Sequence, residues 1–483
     1  MTDSPVASGH MDISDLVRIS GLVERGVLTR VVGGGCEILD VTHTSQEVTR
    51  GSLFCCVIGG KHDGHEYAEQ AILAGASALL VQRELSVSVP QVVVTDVRVA
   101  MGLMSAALRN FPSRQMMVIG VTGTNGKTTT AQLLGNVLSE HVLNTRVLGT
   151  LSGERTTMES TDLQRMLARF VDEGVQAVVM EVTSHAMVLQ RVVGTSFAAA
   201  VFTNLSQDHL DFHHTMEQYF AAKASLFTSE FTHHGVVNGD DVYGQLLIDS
   251  ATVAMYPYSE DDVRDVVVTP RHHSFTIDGH QCVVPLGGRF NLHNSLAVIA
   301  SAQLLGVPLS TIIRGLAATS AVPGRFEAVS VGQSFDVIVD YAHTPDALER
   351  VLRTLRESVG NSAKIIVVFG CGGDRDQHKR RLMGQVAGSL ADGVVITSDN
   401  PRSESATAIA AEINAGVDSS DSHKVIGVEL DRRTAIAKAF DAAKTGDVVV
   451  IAGKGHERTQ TIGVENFPFS DVAVARELLG AHS

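Results

Sequence analysis

The stretch "GVTGTNGKTTTAQLL", residues 120–134, decides how the chain is read. The apolar run Met-Met-Val-Ile at 116–119 leads into it, and an apolar helical pattern follows. Strand, glycine-rich turn, Lys-Thr and helix in that order make a phosphate cradle, because backbone N–H groups at a helix start point at an anion. Gly123, Thr124, Asn125 and Gly126 can present N–H groups. Lys127 supplies a point charge at the terminal phosphates. The Thr128 hydroxyl, with Thr129 beside it, can meet Mg²⁺. The spacing departs from the strict P-loop: the earlier glycine, Gly120, is one residue too far, and position 121 is Val. The bland alternative is a tight strand-to-helix turn with a chance Gly-Lys-Thr.

The 483 residues suggest about three domains. Hydrophobic residues make up 44% and charged residues 19%, a globular composition with large cores. A net charge of −15 argues against a nucleic-acid partner, whose phosphates call for Lys and Arg. No apolar run approaches the roughly 18 residues of a membrane span, and the opening residues lack a signal peptide's basic and apolar regions. The first dozen residues are polar and are expected to be disordered. Five cysteines (Cys36, Cys55, Cys56, Cys282, Cys371) show no metal spacing and read as reduced thiols of a cytoplasmic protein.

Three segments separate. Residues 1–113 mix short strands such as "GSLFCCVIGG" with a helix, "EYAEQAILAGA". Residues 114–323 open on the phosphate loop and alternate strands with helical stretches. Residues 324–483 repeat the alternation through "FDVIVDYAHTP", "KIIVVFGCGGD", "DGVVITSDNPR" and "DVVVIAGKGHE". Strands apolar on both faces and separated by helices predict parallel sheets covered on both sides. Ligands then sit at the carboxyl ends of the strands. The fold class is α/β with three domains: a mixed α/β N-terminal domain, a central P-loop-like ATPase domain and a C-terminal Rossmann-like domain.

"VVMEVTSHAM" puts Glu181 at one strand end, and "AVFTNLSQDHLDFH" puts Asp208, His209, Asp211 and His213 at another. Both ends are expected to border the phosphate loop, where a carboxylate near Thr128 would complete a Mg²⁺ shell. Histidine is a less usual Mg²⁺ ligand and suggests a second metal position. Asp211 and His213 can equally serve only to hold their loop. Lys223 in "YFAAKASLF" reads, on residue chemistry alone, as a snorkelling surface lysine.

Taken in order, "GTNGKTT", "MEVTSHAM", "FTNLSQDHLDFH", "YFAAK", "GRFNLHN", "VPGRFE", "DYAHTPDAL", "FGCGGDRD", "SDNPR" and "AGKGHE" resemble the Mur ligases of peptidoglycan synthesis, and within them the diaminopimelate-adding branch. The resemblance spans residues of about 35–475. It implies a cytoplasmic ATP-dependent ligase, expected to act as a monomer, that joins meso-diaminopimelate to UDP-MurNAc-L-Ala-D-Glu through an acyl phosphate. It implies that Lys127, Glu181, His209 and Lys223 form the catalytic set. One Mg²⁺ would lie between Thr128 and Glu181 and another between Glu181 and His209. Lys223, carbamylated by CO₂, would help to hold the second. It places Asn291, His293 and Asn294 near adenine, Arg325 near the γ-phosphate and Asp340 near ribose. Asn291 has a second reading, as the N-cap of the helix that follows it.

For the UDP substrate, Thr156, Thr157 and Arg191 match the family, and Thr183 keeps the hydroxyl of the family's "EVSSH". A glutamine found in part of the family is Leu189 here, with Gln190 beside it. The usual Asp-Ser-Arg of the first domain is replaced by "THTSQ", leaving Ser45 in register. For the amino acid, Asp399, Asn400, Pro401 and Arg402 occupy the loop after a buried strand. Pro401 fixes a φ angle and aims Arg402, whose guanidinium suits bidentate pairing with a carboxylate. Asp399 and Glu457 offer anions for an ammonium group, Arg375 a second cation, and Gly453 a close backbone approach. Rival readings are addition of L-lysine or ornithine, a folylpolyglutamate synthetase-like ligase, and a non-catalytic nucleotide-binding protein.

Overall fold

The structure, a computed structural model, describes residues 10–481 other than 142 and 154. Its chain divides into two compact units, Met1–Tyr258 and Ser259–Ser483.

The first unit holds two large sheets. The N-terminal sheet runs Leu28–Val32, Gln91–Val94, Ala76–Val81, Ser52–Cys55, Asp40–Thr42 across its width; only the first pair is antiparallel. Part of the stretch expected to be disordered is structured: Met11–Asp12 pairs antiparallel with Glu37–Ile38, and Asp12 caps the helix Ile13–Ile19. Residues 1–9 lie outside the described residues. The second sheet is wholly parallel, in the order Ala254–Tyr258, His234–Asn238, Ala199–Phe202, Met117–Thr122, Ala177–Glu181, Thr145–Leu148. Val118, Ile119 and Val121 of its central strand are buried, as an apolar run between two helical layers requires. Each such side chain contributes about 1.5–3 kcal/mol through removal from water.

The chain leaves the phosphate-loop strand toward one side of this sheet and later returns to the other. The central strand is therefore the switch point at which α/β sheets open a ligand crevice. Register places Glu181 opposite Val121 and Phe202 opposite Thr122, so three loops leave the sheet at one level.

The second unit contains an antiparallel three-stranded sheet, Arg264–Val268, His273–Ile277 and His280–Val284, that the sequence reading did not anticipate. Its larger sheet runs Glu327–Ala328, Asp336–Asp340, Val448–Ala452, Ile365–Phe369, Gly393–Ile396, Val425–Val428, parallel except for the first pair. The helix Pro345–Val359 shows why its elements begin where they do. Thr344 accepts a hydrogen bond from Ala347 N, and Pro345 needs no donor in the first turn. An exposed hairpin, Thr459–Ile462 with Glu465–Pro468, follows the last parallel strand.

Among the described residues all five cysteines are free; Cys36 is half-buried and the others buried. No helix among the described residues is long and apolar enough to cross a membrane.

Candidate active site

The glycine loop closes on the strand end beside it. Gly123 has φ of +151°, and a Cβ there would lie 1.9 Å from Thr203 Oγ1, so only glycine fits. Gly126, at φ +86°, turns the chain into the helix Lys127–Glu140. Thr124 N donates to Asn204 O at 2.9 Å and Asn125 N to Asn204 Oδ1 at 3.1 Å. These two N–H groups, expected to face phosphate, thus brace the loop against the neighbouring strand end. The helix start offers donors of its own. Its first intrahelical bond is Thr130 N to Gly126 O, so the N–H groups of Thr128 and Thr129 precede the ladder.

Thr128 and Glu181 are brought together as expected. Thr128 Oγ1 donates to Glu181 Oε2 at 3.0 Å, and both side chains are buried. Thr150, which the sequence reading did not single out, holds the same carboxylate through its N–H to Oε1 (2.8 Å) and its hydroxyl to Oε2 (3.3 Å). Hydroxyl and carboxylate oxygens are the donors a Mg²⁺ ion takes. Among the described residues no group of three or more His, Cys, Asp or Glu is preassembled for a metal.

Lys127 Nζ donates to Gly123 O and Thr124 O, each at 2.8 Å. Lys223 Nζ reaches the same Gly123 carbonyl at 2.8 Å and stands 4.7 Å from the Tyr219 ring centre. Lys223 is 1% exposed, which overturns the surface-lysine reading. Its helix Met216–Ala224 turns this residue inward with Tyr219 and Ala222. Burial, then repulsion from Lys127, hold the Lys223 amine well below its ordinary pKa, against an upward pull from Asp208.

His209 begins a short helix, Leu210–His213, at φ +54°, with its ring 4.8 Å from His185 and Nε2 3.5 Å from Asp208 Oδ2. Burial lowers its pKa, as do Lys127 and Lys223, while Asp208 opposes. His213 is buried and bonds Ser184 Oγ at 2.8 Å, the loop-holding role left open by its sequence context; Asp211 sits in the first turn of that helix.

On the other side of Glu181, Thr157 Oγ1 donates to the Glu181 backbone O at 2.9 Å and accepts from Thr183 N at 3.2 Å. Thr156 Oγ1 lies 3.1 Å from Thr150 Oγ1. Thr183 caps the helix Ser184–Val188. Arg191 is anchored to Thr157 O at 3.3 Å and lies 2.8 Å from Glu159, a buried acid that also meets Arg98 and Arg155. No sequence signal marked Glu159. Ser45 stands in a 3-10 turn after Asp40–Thr42, whose neighbour His43 contacts Thr161 Oγ1 at 3.0 Å.

In the second unit, Gly288 and not Asn291 caps the helix Arg289–Leu304. The helix starts ahead of Asn291, where the N-cap reading would have it start after that residue. Asn291, buried in its first turn, donates to Gly287 O and accepts from Asn294. His293 Nε2 lies 3.5 Å from Glu260 Oε2. Arg325 packs over the Tyr341 ring at 4.6 Å. Asp340 accepts from Phe326 N (2.7 Å) and Ala342 N (2.8 Å); burial raises its pKa against Arg325 and those two bonds.

The "SDNPR" loop is held on two sides. Arg402, at φ +50°, donates from Nη1 to Gly373 O at 2.7 Å, and its backbone pairs with the hairpin at Thr461 and Gly463. Pro401 is buried. Arg375 is exposed on the facing loop. Asn400 and Glu457 are joined at 2.9 Å. Gly453, at φ +112°, admits Asp399, whose Oδ2 would lie 2.7 Å from any Cβ there. Burial raises the Asp399 pKa, opposed by Arg432 and Lys454.

A glycine loop at the switch point of a parallel sheet, followed by Lys-Thr on a helix start and facing a buried carboxylate, defines a phosphate-binding α/β protein. Family models agree along the chain: Mur ligase family, catalytic domain at residues 37–112; Mur ligase middle domain at 121–302; and Mur ligase, glutamate ligase domain at 324–455. The UDP-N-acetylmuramoyl-L-alanyl-D-glutamate–2,6-diaminopimelate ligase of Geobacillus thermodenitrificans is 44% identical, over 92% of this chain and 95% of its own. The ligase of the same name from Streptomyces avermitilis is 40% identical over 98% of both. A solved ligase of that name superposes with a TM-score of 0.67 at 33% identity, covering 92% of this chain and 95% of its own. The chain belongs to the Mur ligase family.

Proposed function

We propose that the protein is an ATP-dependent ligase that adds meso-diaminopimelate to UDP-MurNAc-L-Ala-D-Glu. Support comes from relatives of that name matched over nearly their whole length. The observation that carries the chemistry is Lys127 held on the glycine loop next to the buried Thr128–Glu181 pair. Both substrates of the first step are anions, so a carboxylate must approach a triphosphate against repulsion. Charge neutralisation is then the main task of the site.

In the proposed reaction, a carboxylate oxygen of the glutamyl residue attacks the γ-phosphorus and ADP leaves, giving an acyl phosphate. The amine of the amino acid attacks the acyl carbon, loses a proton, and inorganic phosphate departs as the amide forms. Lys127 places a cation between the two anions. Thr128 and Glu181 would hold Mg²⁺, which supplies further positive charge on the phosphate oxygens. His209 is the proposed ligand of a second ion. Lys223, whose amine burial holds well below its ordinary pKa, is suited to adding CO₂ through its amine lone pair; the proton goes to solvent and a carbamate anion results. Thr156, Thr157, Thr183, Arg191 and Ser45 are proposed to face the UDP substrate.

Asn291, His293, Asn294, Arg325 and Asp340 are proposed to face ATP. Arg375, Asp399, Asn400, Pro401, Arg402, Gly453 and Glu457 are proposed to face diaminopimelate. We take 1–113, 114–323 and 324–483 as the functional domains. The test is ADP release by the purified protein. It should require the UDP-dipeptide and the amino acid together; release with ATP alone, or none with all three, would refute the reading.

A further inference from the structure

Lys454 has no exposed surface, yet it was not among the residues expected to act. Its Nζ donates to Asn400 Oδ1 at 3.0 Å and to Glu457 Oε2 at 2.9 Å. Asn400 Oδ1 also accepts from Thr461 N at 2.9 Å, and Asn400 Nδ2 donates to Glu457 Oε2 at 2.9 Å. Two donors on its oxygen and one acceptor at its nitrogen leave this amide one orientation. Glu457 Oε2 is taken up twice, while Oε1 meets no hydrogen-bond donor among the described residues. The charges close in the same way. Arg432 and Asp471, both fully buried, form a two-pronged pair, and Lys454 pairs with Glu457. Asp399 is 8% exposed beside Gly453; Gln460 Nε2 donates to its backbone oxygen at 2.7 Å, while its carboxylate accepts no hydrogen bond from a described residue. Two cations, Arg432 and Lys454, thus face three carboxyl groups, Asp399, Glu457 and Asp471, and Glu457 keeps one oxygen without a donor among the described residues.

We infer that Lys454 is a positioning residue of the amino-acid pocket: it fixes Asn400 and Glu457 so that Glu457 Oε1 and Asp399 together receive one ammonium group of the incoming amino acid. The inference rests on the proposed ligase reading. Lys454 does not touch the reacting atoms. It sets which way the amide points and closes one negative charge, so that a single cationic group completes the pocket. Without Lys454, the partly exposed Glu457 would lose its fixed orientation beside the buried Asp399.

The test compares wild type with Lys454→Met, by ADP release with varied meso-diaminopimelate. KM for the amino acid should rise at least ~10-fold, while KM for ATP and for the UDP-dipeptide stays put. The acid limb of kcat/KM for the amino acid should also move to higher pH. Glu457 is held below its ordinary pKa by Lys454 and Asn400 against the effect of burial, with His456 lowering it further. The other charged or titratable groups facing it, Asp399, Arg432 and Tyr341, are unchanged in the variant. A merely structural role would not move that limb. Lys454→Met/Glu457→Gln, which leaves no lone charge at this pair, should match Glu457→Gln in amino-acid KM. It decides the matter if the single variant does not fold. An unchanged KM and pH profile in Lys454→Met, or a further ~10-fold rise in the double variant over Glu457→Gln, would overturn the inference. If wild type itself shows no diaminopimelate-dependent ADP release, it is the ligase reading that fails.

Discussion

Replacing Glu181 with glutamine keeps the shape of the site and removes one charge. The carboxylate accepts three hydrogen bonds, from Thr128 Oγ1 at 3.0 Å, Thr150 Oγ1 at 3.3 Å and Thr150 N at 2.8 Å. In the Glu181→Gln variant the amide oxygen can still accept from Thr150 N, and the two hydroxyls can rotate to accept from the amide nitrogen. Bonds to a charged group contribute about 1.5–3 kcal/mol and neutral ones about 0.5–1.5, so each loses roughly 1 kcal/mol. Relief from burying a charge offsets part of this, and the net stability loss should be within about 2 kcal/mol. Catalysis should suffer more. Loss of one group that stabilises developing charge costs about 2.7–4 kcal/mol, or 10²–10³ in kcat. Thr157 grips the Glu181 backbone oxygen and not its side chain, so the proposed UDP-substrate contacts stay in place. ADP release under saturating substrates gives kcat, and calorimetry with the UDP-dipeptide gives Kd. A kcat within about threefold of wild type, or a Kd that weakens in step with kcat, would refute the assignment.

Lys223→Ala should reduce turnover by about 10² or more, with partial recovery in millimolar chloride as a substitute anion; normal turnover in CO₂-free buffer would exclude the carbamate. Arg402→Ala should lower kcat/KM for meso-diaminopimelate about 10²-fold and leave the KM for ATP alone, in the same coupled assay. His273 makes a stability prediction. Its Nδ1–H donates to Leu286 O at 2.6 Å and its Nε2 accepts from Ser295 Oγ at 3.0 Å, which fixes the neutral ring. Burial lowers its pKa to about 4, so in the unfolded chain it binds a proton at a higher pH than in the fold. Stability is unaffected above pH of about 6.5 and falls as pH drops toward 4, by up to about 3 kcal/mol. Urea titrations at pH of about 7 and about 4.5, either side of the unfolded-state value, should show a smaller difference in His273→Phe; an equal difference would refute the role of His273.

The parallel sheets were legible because buried strands carry unbroken apolar runs, as in Ile365–Phe369 and Val448–Ala452, each followed by a polar loop. The Thr128–Glu181 meeting was legible from the rule that functional loops gather at carboxyl strand ends. The antiparallel sheet of the second unit was not. Arg264–Val268 is largely exposed, and in His273–Ile277 alternate residues are buried over only a short strand, a signal without turn markers strong enough to frame it. The hairpin that pairs with Arg402 exposes most of its residues and offers no apolar pattern. Lys223 and Lys454 illustrate a second limit. Their sequences look like ordinary lysine positions, and their burial comes from partners far along the chain: Gly123 for one, Asn400 for the other. The helix start at Arg289 was displaced from Asn291 because Gly288 takes a φ of +88°, a backbone choice that Asn291's own capping preference obscured.

Recognition of the amino acid's distal carboxylate by the loop around Arg402 is the proposed source of a preference for diaminopimelate. Its most direct test is ADP release by the purified protein with ATP and UDP-MurNAc-L-Ala-D-Glu saturating and the amino acid varied. L-Lysine lacks the second carboxylate that meso-diaminopimelate carries at its far end, and an unmatched guanidinium should cost roughly 2–5 kcal/mol. A preference for meso-diaminopimelate of at least ~10²-fold in kcat/KM is expected. Comparable efficiency with L-lysine would contradict it.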